Sequence, residues 1–555
     1  MPFRSIHPSL AIPKCNILSY IFPTDTAPSE KAIWIDAAEP SNSLSQAQML
    51  SWVKRFAVGL DKLGVGQEQA VMVLTPNHIF VPLVYLAAAG SKRFFTGANP
   101  AYTVDEVAYQ MKIVRAAVVL VHPLLLDKSL AAAKQVGVPV GRIFQFSETE
   151  CLTRNGVQDW RALTSLAPIQ EAESWQWDPL TGESSLSTIA AINFSSGTTG
   201  LPKGVCITHH NLISNATQNL VNKFHGAAHS EIALGSEKWL ATLPLYHAYS
   251  QLWTITLACR LQAEVYVMSK FVFEDYLRYI EKYRITTLQA VPPILIMLSK
   301  RAETTKYDLT SLRSILCGAA PLSPELQSQV SKRVGAVVLQ GWGMTETTCA
   351  GIVIPGMMED ESGSVGCLLP NTEAMLINEE GKEVTNDGEP GELLLRGPQI
   401  MLKYWENEDA TKESITAERW LRTGDITMVK NGKFWIVDRK KELIKVNGLQ
   451  VAPAELEAVL LGHEGILDAA VTGITLHDRE LPRAYIVLRE GTEATERDVQ
   501  DFVAAKVAKH KWLSGGVSFV PEIPKFASGK IIRKQLREWS KRDAKEMEGK
   551  VSARL

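Results

Sequence analysis

The chain has 555 residues, 46% of them hydrophobic and 21% charged, a globular composition that excludes fibrous and disordered classes and leaves room for roughly three or four cores. Lys plus Arg number 58 against 60 Asp plus Glu, for a net charge of -2. No global field would gather nucleic acid or anionic lipid, so an anionic ligand has to be held locally.

The N-terminal stretch MPFRSIHPSLAIPKCNILSYIFP breaks each apolar run with Pro, Lys or Asn, so no secretory signal is expected. The seven cysteines never form a CxxC pair, which argues against zinc or redox spacing and for reduced thiols. Short β-rich runs at Ala70–Leu74, Ala117–Val121 and Val265–Met268 alternate with amphipathic stretches at Leu44–Leu63 and Phe273–Tyr283. That alternation predicts α/β layering with mostly parallel strands. The apolar run from Ile79 to Gly90 falls short of the about 20 residues of a membrane span and reads as a buried helix. From about Gly381 the texture becomes Gly-rich, with NDG and NG turn signals, and a β-rich subdomain is placed at about 365–437. Pro453 opens a helix with Leu456, Val459 and Leu460 on one face. A boundary at Val437–Lys441 divides the chain into an N-terminal part, 1–437, a connection, 438–441, and a C-terminal part, 442–555. The charged tail Ile531–Lys550 reads as a solvated helix with a frayed end.

Chemistry first becomes specific at Phe194–Gly204, FSSGTTGLPKG, after an apolar run at Thr188–Ile192 that reads as a strand. Glycines, hydroxyls and one lysine together supply open backbone N–H groups, small donors and a mobile cation, which is what a polyphosphate needs. A Walker A loop is disfavoured, because Pro202 stands where a Gly should precede the lysine and Gly197 is out of register.

SSGTTGLPKGV closely resembles the signature loop of the adenylate-forming superfamily, which includes acyl-CoA synthetases, coumaroyl-CoA ligases, luciferases and peptide-synthetase adenylation domains. The similarity runs over roughly residues 30 to 535, with the motifs in the family's order. It implies an α/β fold, a large N-terminal domain of layered subdomains with a small mobile α+β C-terminal domain. It also implies ATP/AMP contacts from Ser195, Ser196, Gly197, Thr198, Thr199, Gly200 and Lys203. Gly318-Ala319-Ala320 resembles the adenine-binding turn. In Gln340-Gly341-Trp342-Gly343-Met344-Thr345-Glu346 the aromatic would stack on adenine, Thr345 meet the α-phosphate and Glu346 bind Mg²⁺. Asp425 matches the ribose-binding carboxylate, Arg439 a ribose-contacting arginine and Lys441 the hinge pivot. Lys530, in PKFASGK, occupies the position of the catalytic lysine.

The implied reaction has two halves. A carboxylate attacks the α-phosphorus of ATP with Mg²⁺ present and pyrophosphate leaves, helped by Lys530, His247, Thr199 and Glu346. A thiol, with coenzyme A expected, then attacks the acyl-adenylate after the C-terminal domain has rotated to present the 445–450 loop. Lys445 and Gln450 match positions near the adenylate, and Asn447 and Gly448 positions beside CoA, although coumaroyl-CoA ligases carry Lys at the place of Asn447. A free-standing enzyme that loads a carrier protein would share the adenylation motifs, and LSGG at Leu513–Gly516 reads as a turn rather than a carrier signature. An inactive acyl-ligand sensor would be expected to lack Lys530 or Glu346.

His247, Tyr249 and Trp253 resemble the stretch that lines the acyl pocket, joined by Ala320, Gly341, Cys349 and Ala350. Planar walls favour aromatic or aryl-alkyl acids, with medium-chain acids next. Trp253 replaces a small residue of coumaroyl-CoA ligases and should shorten one side, whereas Cys349-Ala350 replace a larger Pro-Val pair. The final Ala553-Arg554-Leu555 has the pattern of the Ser-Lys-Leu address read by the peroxisomal import receptor.

Overall fold

A computed structural model describes residues 2–195, 201–226, 234–446, 449–476, 479–526 and 529–552, with side chains placed through residue 547. Eight strands form one sheet. Gln158–Asp159, Ile143–Gln145, Ala116–Val121, Ala70–Leu74, Phe94–Gly97 and Ile189–Ser195 lie parallel in that spatial order, and Lys203–Thr208 and Lys403–Tyr404 close the edge antiparallel. A second, nine-stranded sheet has six parallel inner strands: Ala32–Asp36, Glu264–Val267, Lys238–Ala241, Thr287–Ala290, Ser314–Cys317 and Val337–Trp342.

Local sequence explains these elements. Ala70–Leu74 is buried along its whole length, as a strand covered on both faces must be, so it reads as a continuous apolar run. Helix Gln46–Lys62 begins at Ser45, whose hydroxyl accepts from Gln48 N while the Gln48 side chain accepts from Ser45 N, a closed capping box. Helix Val81–Gly90 is buried at every position. Helix Phe273–Tyr283 turns Phe273, Tyr276, Leu277 and Ile280 inward. Among the described residues no helix is long and apolar enough to cross a membrane.

Helix His209–Lys223 breaks the usual pattern, because much of its buried face is polar. Its amides tie distant loops together. Asn211 Nδ2 donates to the carbonyls of Pro398 and Ile400, Asn215 exchanges two hydrogen bonds with the Ala350 backbone, and Gln218 donates to Pro370. These buried amides are matched by backbone groups of the loops, which is what makes a polar core face tolerable.

The third sheet is antiparallel, ordered Phe3–Arg4, Glu373–Ile377, Pro390–Arg396, Leu421–Lys430 and Lys433–Arg439. Its edge strand comes from the chain's first residues. The sequence places the β-rich region only at about 365–437, because a two-residue strand is set by its tertiary partner rather than by a local pattern.

From Ile444 onward the described strands pair only with one another. Ile466–Leu476 and Arg479–Leu488 form a long hairpin, and Val517–Phe519 joins it in parallel. Helix Pro453–Leu461 starts at its proline and buries Leu456 and Leu460 in a separate apolar cluster with Val471, Ile486 and Val503. Leu513–Gly516 is a turn closed by Gly516 N donating to Leu513 O. The terminal helix, Arg533–Ser552, corrects the expectation of a solvated tail. Leu536 is fully buried, and Asp543 accepts from Arg483 Nε and the Tyr485 hydroxyl at 2.9 Å each. Its composition is polar because most of the surface is wet, while one narrow face docks.

Among the described residues, these contacts tie the C-terminal part and the connection to the rest. Lys300 Nζ donates to the carbonyls of Leu461 and Ile466 at 3.0 and 2.7 Å. Lys440 pairs with Glu392 at 2.8 Å, and Gln450 Nε2 donates to Glu379 at 2.6 Å.

Candidate active site

The parallel strands Ser314–Cys317 and Val337–Trp342 end beside each other, and the loops beyond their carboxyl ends open onto a cavity that is partly open to solvent. Ligands of open α/β sheets bind at such crevices. One wall comes from Leu316, Cys317, Gly318 and Ala319, a second from Gly341 to Thr345, and a third from His247, Ala248, Tyr249 and Trp253. Lys530 reaches the same space from the C-terminal part.

At one end the walls are backbone. Ala319 adopts a left-handed φ of 71°, a strained setting for a non-glycine residue that commonly marks a functional turn. A Cβ on Gly343 would fall 1.7 Å from the Cys349 carbonyl oxygen, so only glycine fits there. Trp342 Nε1 donates to Asp425 Oδ2 at 2.8 Å, and Arg439 Nε stands 3.2 Å from Asp425 Oδ1. Burial raises the Asp425 carboxyl above its ordinary value, against the opposing pull of Arg439, Trp342 and Lys530. Both carboxylate oxygens are engaged, but each keeps a further lone pair for another donor. Lys530 is held below its ordinary value by burial and by Arg439, opposed by Asp425, Glu346 and Glu442. Glu346 accepts from the Tyr404 hydroxyl at 2.8 Å, and Lys203 Nζ lies 5.0 Å from the centre of the Tyr404 ring. Ser195 and Lys203 face each other across an antiparallel pair, and residues 196–200 between them lie outside the described residues.

The other end is built from side chains: Asn219, Trp253, Cys317, Cys349, Ala350 and Val353. Trp253 belongs to a π-helical segment, Gln251–Leu257, a wide turn often found at functional sites. The Tyr249 hydroxyl donates to Leu316 O at 2.7 Å, so the ring is fixed as a wall. His247 caps the short helix Ala248–Ser250, its Nδ1 accepting from Tyr249 N at 3.3 Å. Burial and the nearby Lys530 charge push the imidazole down to about 4, so it is neutral at physiological pH.

Of the residues singled out from sequence, His247, Tyr249, Trp253, Gly318, Ala319, Gly341, Trp342, Gly343, Met344, Thr345, Cys349, Ala350 and Lys530 meet at this cavity. Ala320 is not on its wall, because the turn carries it past the lining. Gln340 points into the protein, donating to Gln327 Oε1 at 2.7 Å. In this arrangement Lys445 and Gln450 are exposed and stand apart, the first donating through its backbone N to Glu480 and the second bonded to Glu379. Lys441 sits in the turn after strand Lys433–Arg439. Ser196, Gly197, Thr198, Thr199, Gly200, Asn447, Gly448 and the final tripeptide lie outside the described residues.

Sequence reasoning missed Asn219, Leu316, Cys317 and Val353. Leu316 and Cys317 directly precede the recognised Gly318 turn, and extending that motif backwards would have found them. Nothing in the sequence marked Asn219. Its Nδ2 donates to Asn215 O at 2.8 Å, and its buried Oδ1 has no partner.

Comparison with known proteins agrees with this geometry. The AMP-binding enzyme family matches residues 24–405, and the AMP-binding enzyme C-terminal domain matches residues 455–530. A phenylacetyl-CoA ligase, epaB, of Aspergillus niger is 37% identical over 97% of this chain and 98% of its own length. An acyl-CoA ligase, azaF, also of Aspergillus niger, is 36% identical over 95% and 99%. Among solved structures, ATP-bound MatB from Rhodopseudomonas palustris superposes with a TM-score of 0.82 at 25% identity, over 95% of this chain and 99% of that one. The family match covers well over half of the residues and the relatives run nearly end to end, so the chain belongs to the AMP-binding enzymes.

Proposed function

We propose that this chain is an ATP-dependent acid–CoA ligase that adenylates an aromatic or aryl-alkyl acid, with medium-chain acids next, and transfers the acyl group to coenzyme A. The observation that carries the reading is the meeting of Lys530 with His247 and Thr345 at one cavity whose far end is largely apolar. A cation and an acyl-sized pocket then share one space. The relatedness to a phenylacetyl-CoA ligase supports the aryl-alkyl preference.

In the first half-reaction the substrate carboxylate oxygen forms a bond to the α-phosphorus and the bond to pyrophosphate breaks. Negative charge grows on the phosphoryl oxygens, and Lys530, already near the site and partly desolvated, stabilises it without reorganisation. The 195–203 segment, by its resemblance to the family's signature loop, holds the departing pyrophosphate. Neutral His247 and the ring of Tyr249 flank the reacting carboxylate, Trp342 and Ala319 face the adenine, and Asp425 with Arg439 takes the ribose. In the second half-reaction the CoA sulfur bonds to the acyl carbon and AMP leaves with the anhydride oxygen. Rotation about Lys441, between a 1–437 domain and a 442–555 domain, would bring Lys445, Asn447, Gly448 and Gln450 to the adenylate in place of Lys530.

Glu346 fits Mg²⁺, being a hard carboxylate close enough to Lys530 to raise its proton affinity. Among the described residues no group of three or more His, Cys, Asp or Glu forms a metal cage, so one carboxylate would be completed by nucleotide phosphates, as is usual for this ion. When bound, the ion neutralises phosphate charge.

Incubation with ATP, CoA and a panel of short, medium-chain and aromatic acids tests the assignment. Thioester formation that is best with aryl-alkyl acids is expected, and no thioester with any acid would overturn it. The Ala553-Arg554-Leu555 ending also supports a peroxisomal address. A fluorescent protein carrying this tripeptide at its C-terminus should enter peroxisomes, and a cytosolic signal would remove that claim.

A further inference from the structure

Behind the acyl end lies a second, smaller and narrow pocket. Trp253, Leu316 and Val353 line both spaces, so the partition between them is one layer of side chains. The second compartment is largely apolar, lined by Trp253, Leu316, Leu339, Val353 and Ile354, with a few polar groups set into it. Lys223, Thr287 and Ser314 all contribute to its wall. Lys223 Nζ pairs with Glu237 at 3.0 Å, both side chains about one-seventh exposed, at 14% and 15%. Glu237 is itself fully engaged, because Trp239 Nε1 and the Thr287 hydroxyl each donate to Oε2 at 2.8 Å. Burial alone would raise the Glu237 carboxyl, but Lys223, Trp239 and Thr287 outweigh it and hold it below its ordinary value. The Thr287 hydroxyl also lies 3.3 Å from the Ser314 hydroxyl, so these two satisfy each other; the charge pair is balanced, which disfavours a second carboxylate, while the remaining ammonium N–H bonds of Lys223 suit a neutral hydrogen-bonding group.

A separate observation points the same way. Asn219 stands one helical turn before Lys223 on helix His209–Lys223, so the two share a face. Asn219 lines the first cavity with an unpartnered buried acceptor, Oδ1. A buried acceptor without a donor is costly and calls for an explanation. A ligand hydroxyl supplies one.

We infer that the acyl site has two compartments divided by Trp253, and that the second takes the hydroxyl-bearing tail of an acid, read by Asn219 at the partition and Lys223 beyond it. The inference rests on the ligase reading above and names its substrate class more closely: medium-chain or aryl-alkyl acids with a distal hydroxyl, rather than plain alkyl acids or diacids.

The test compares kcat/KM for 10-hydroxydecanoate, decanoate, decanedioate and phenylacetate in CoA-thioester formation. The wild-type enzyme is expected to prefer the hydroxy acid over decanoate by roughly 3–10-fold, the worth of one net hydrogen bond, and over the diacid by more. Lys223→Met alone would strand a buried carboxylate, so the informative variant is Lys223→Met with Glu237→Gln. It should bring the hydroxyl-to-methyl ratio close to one. Asn219→Leu, which leaves the ion pair intact, should lower the same ratio. Trp253→Ala should raise kcat/KM for both ten-carbon monoacids relative to phenylacetate. Equal treatment of hydroxyl and methyl ends by the wild type, as expected if the cavity merely drains to the surface at exposed Met357, would overturn the inference, as would a ratio untouched by the double variant and by Asn219→Leu. Either result with intact phenylacetate activity spares the ligase assignment; absence of thioester from all four acids does not.

Discussion

The two ends of the main cavity are made of different material. The nucleotide end is backbone: Gly318, left-handed Ala319 and the Gly341–Thr345 stretch, with no room for a Cβ on Gly343. The acyl end is side chain: Trp253, Cys317, Cys349, Val353 and Asn219. A backbone wall constrains residue type at each position, because a turn of given dihedrals and clearance admits few side chains. A side-chain wall constrains only summed volume and polarity, and many combinations meet that condition. The first end should therefore be brittle and general for all acids, the second tolerant and selective among them.

The largest effect is expected at the brittle end, where Lys530 is a cation on the cavity wall. Lys530→Ala should slow adenylation by about 10²–10³-fold, the usual cost of removing a preorganised charge stabiliser. Thioester formation from supplied acyl-adenylate should fall far less, since the proposed rotation removes Lys530 from that step. Equal losses in both half-reactions, followed by pyrophosphate release and by thioester yield, would break the distinction.

A smaller effect separates the two materials directly. Gly343→Ala places a methyl against the carbonyl of Cys349 and the Cα of Ala350, backbone atoms that cannot rotate away, and should cost about 3 kcal/mol or more of stability. Cys349→Ser, on the side-chain wall, should stay within about 1 kcal/mol and shift only the ranking of acids. Thermal melts of the two variants beside wild type measure this. Comparable losses would mean that the acyl wall is as rigid as the nucleotide turn.

The same difference decides what could be read from the sequence. The Gly341–Thr345 stretch and the Lys530 ending, which meet at the cavity, were legible because their chemistry needs particular residues at fixed spacing, and Ala70–Leu74 and Phe273–Tyr283 because buried strands and amphipathic helices have characteristic patterns. Asn219 was not legible. Its helix buries amides that answer loop carbonyls at Ala350, Pro370 and Pro398, and such matches exist only once distant segments have come together. Phe3–Arg4 escaped for the same reason, its partner being Glu373–Ile377. The docked face of the terminal helix was hidden by a charged composition in which Asp543 looked like solvent-facing surface.

The smallest effect concerns His247, where the two materials meet. Its imidazole is pushed down to about 4 by burial first and by the Lys530 charge second, from an ordinary value of 6.5. Between those two values the folded protein binds fewer protons at this site than the unfolded chain. Stability therefore rises with pH through that window and is lost as pH falls from 6.5 towards 4, by about 1–2 kcal/mol after allowance for partial exposure. Above pH 6.5 the site contributes no slope. His247→Gln, neutral throughout, should remove this part of the acid sensitivity, seen as a wild-type-minus-variant difference that is flat at neutral pH and falls only in acid. Lys530→Ala removes the second cause and should raise the His247 midpoint, followed by the imidazole chemical shift, without restoring it fully, because burial is the larger cause. A midpoint near 6.5 in the wild type, or one that Lys530→Ala leaves unmoved, would show that the ammonium and the imidazole do not share the cavity.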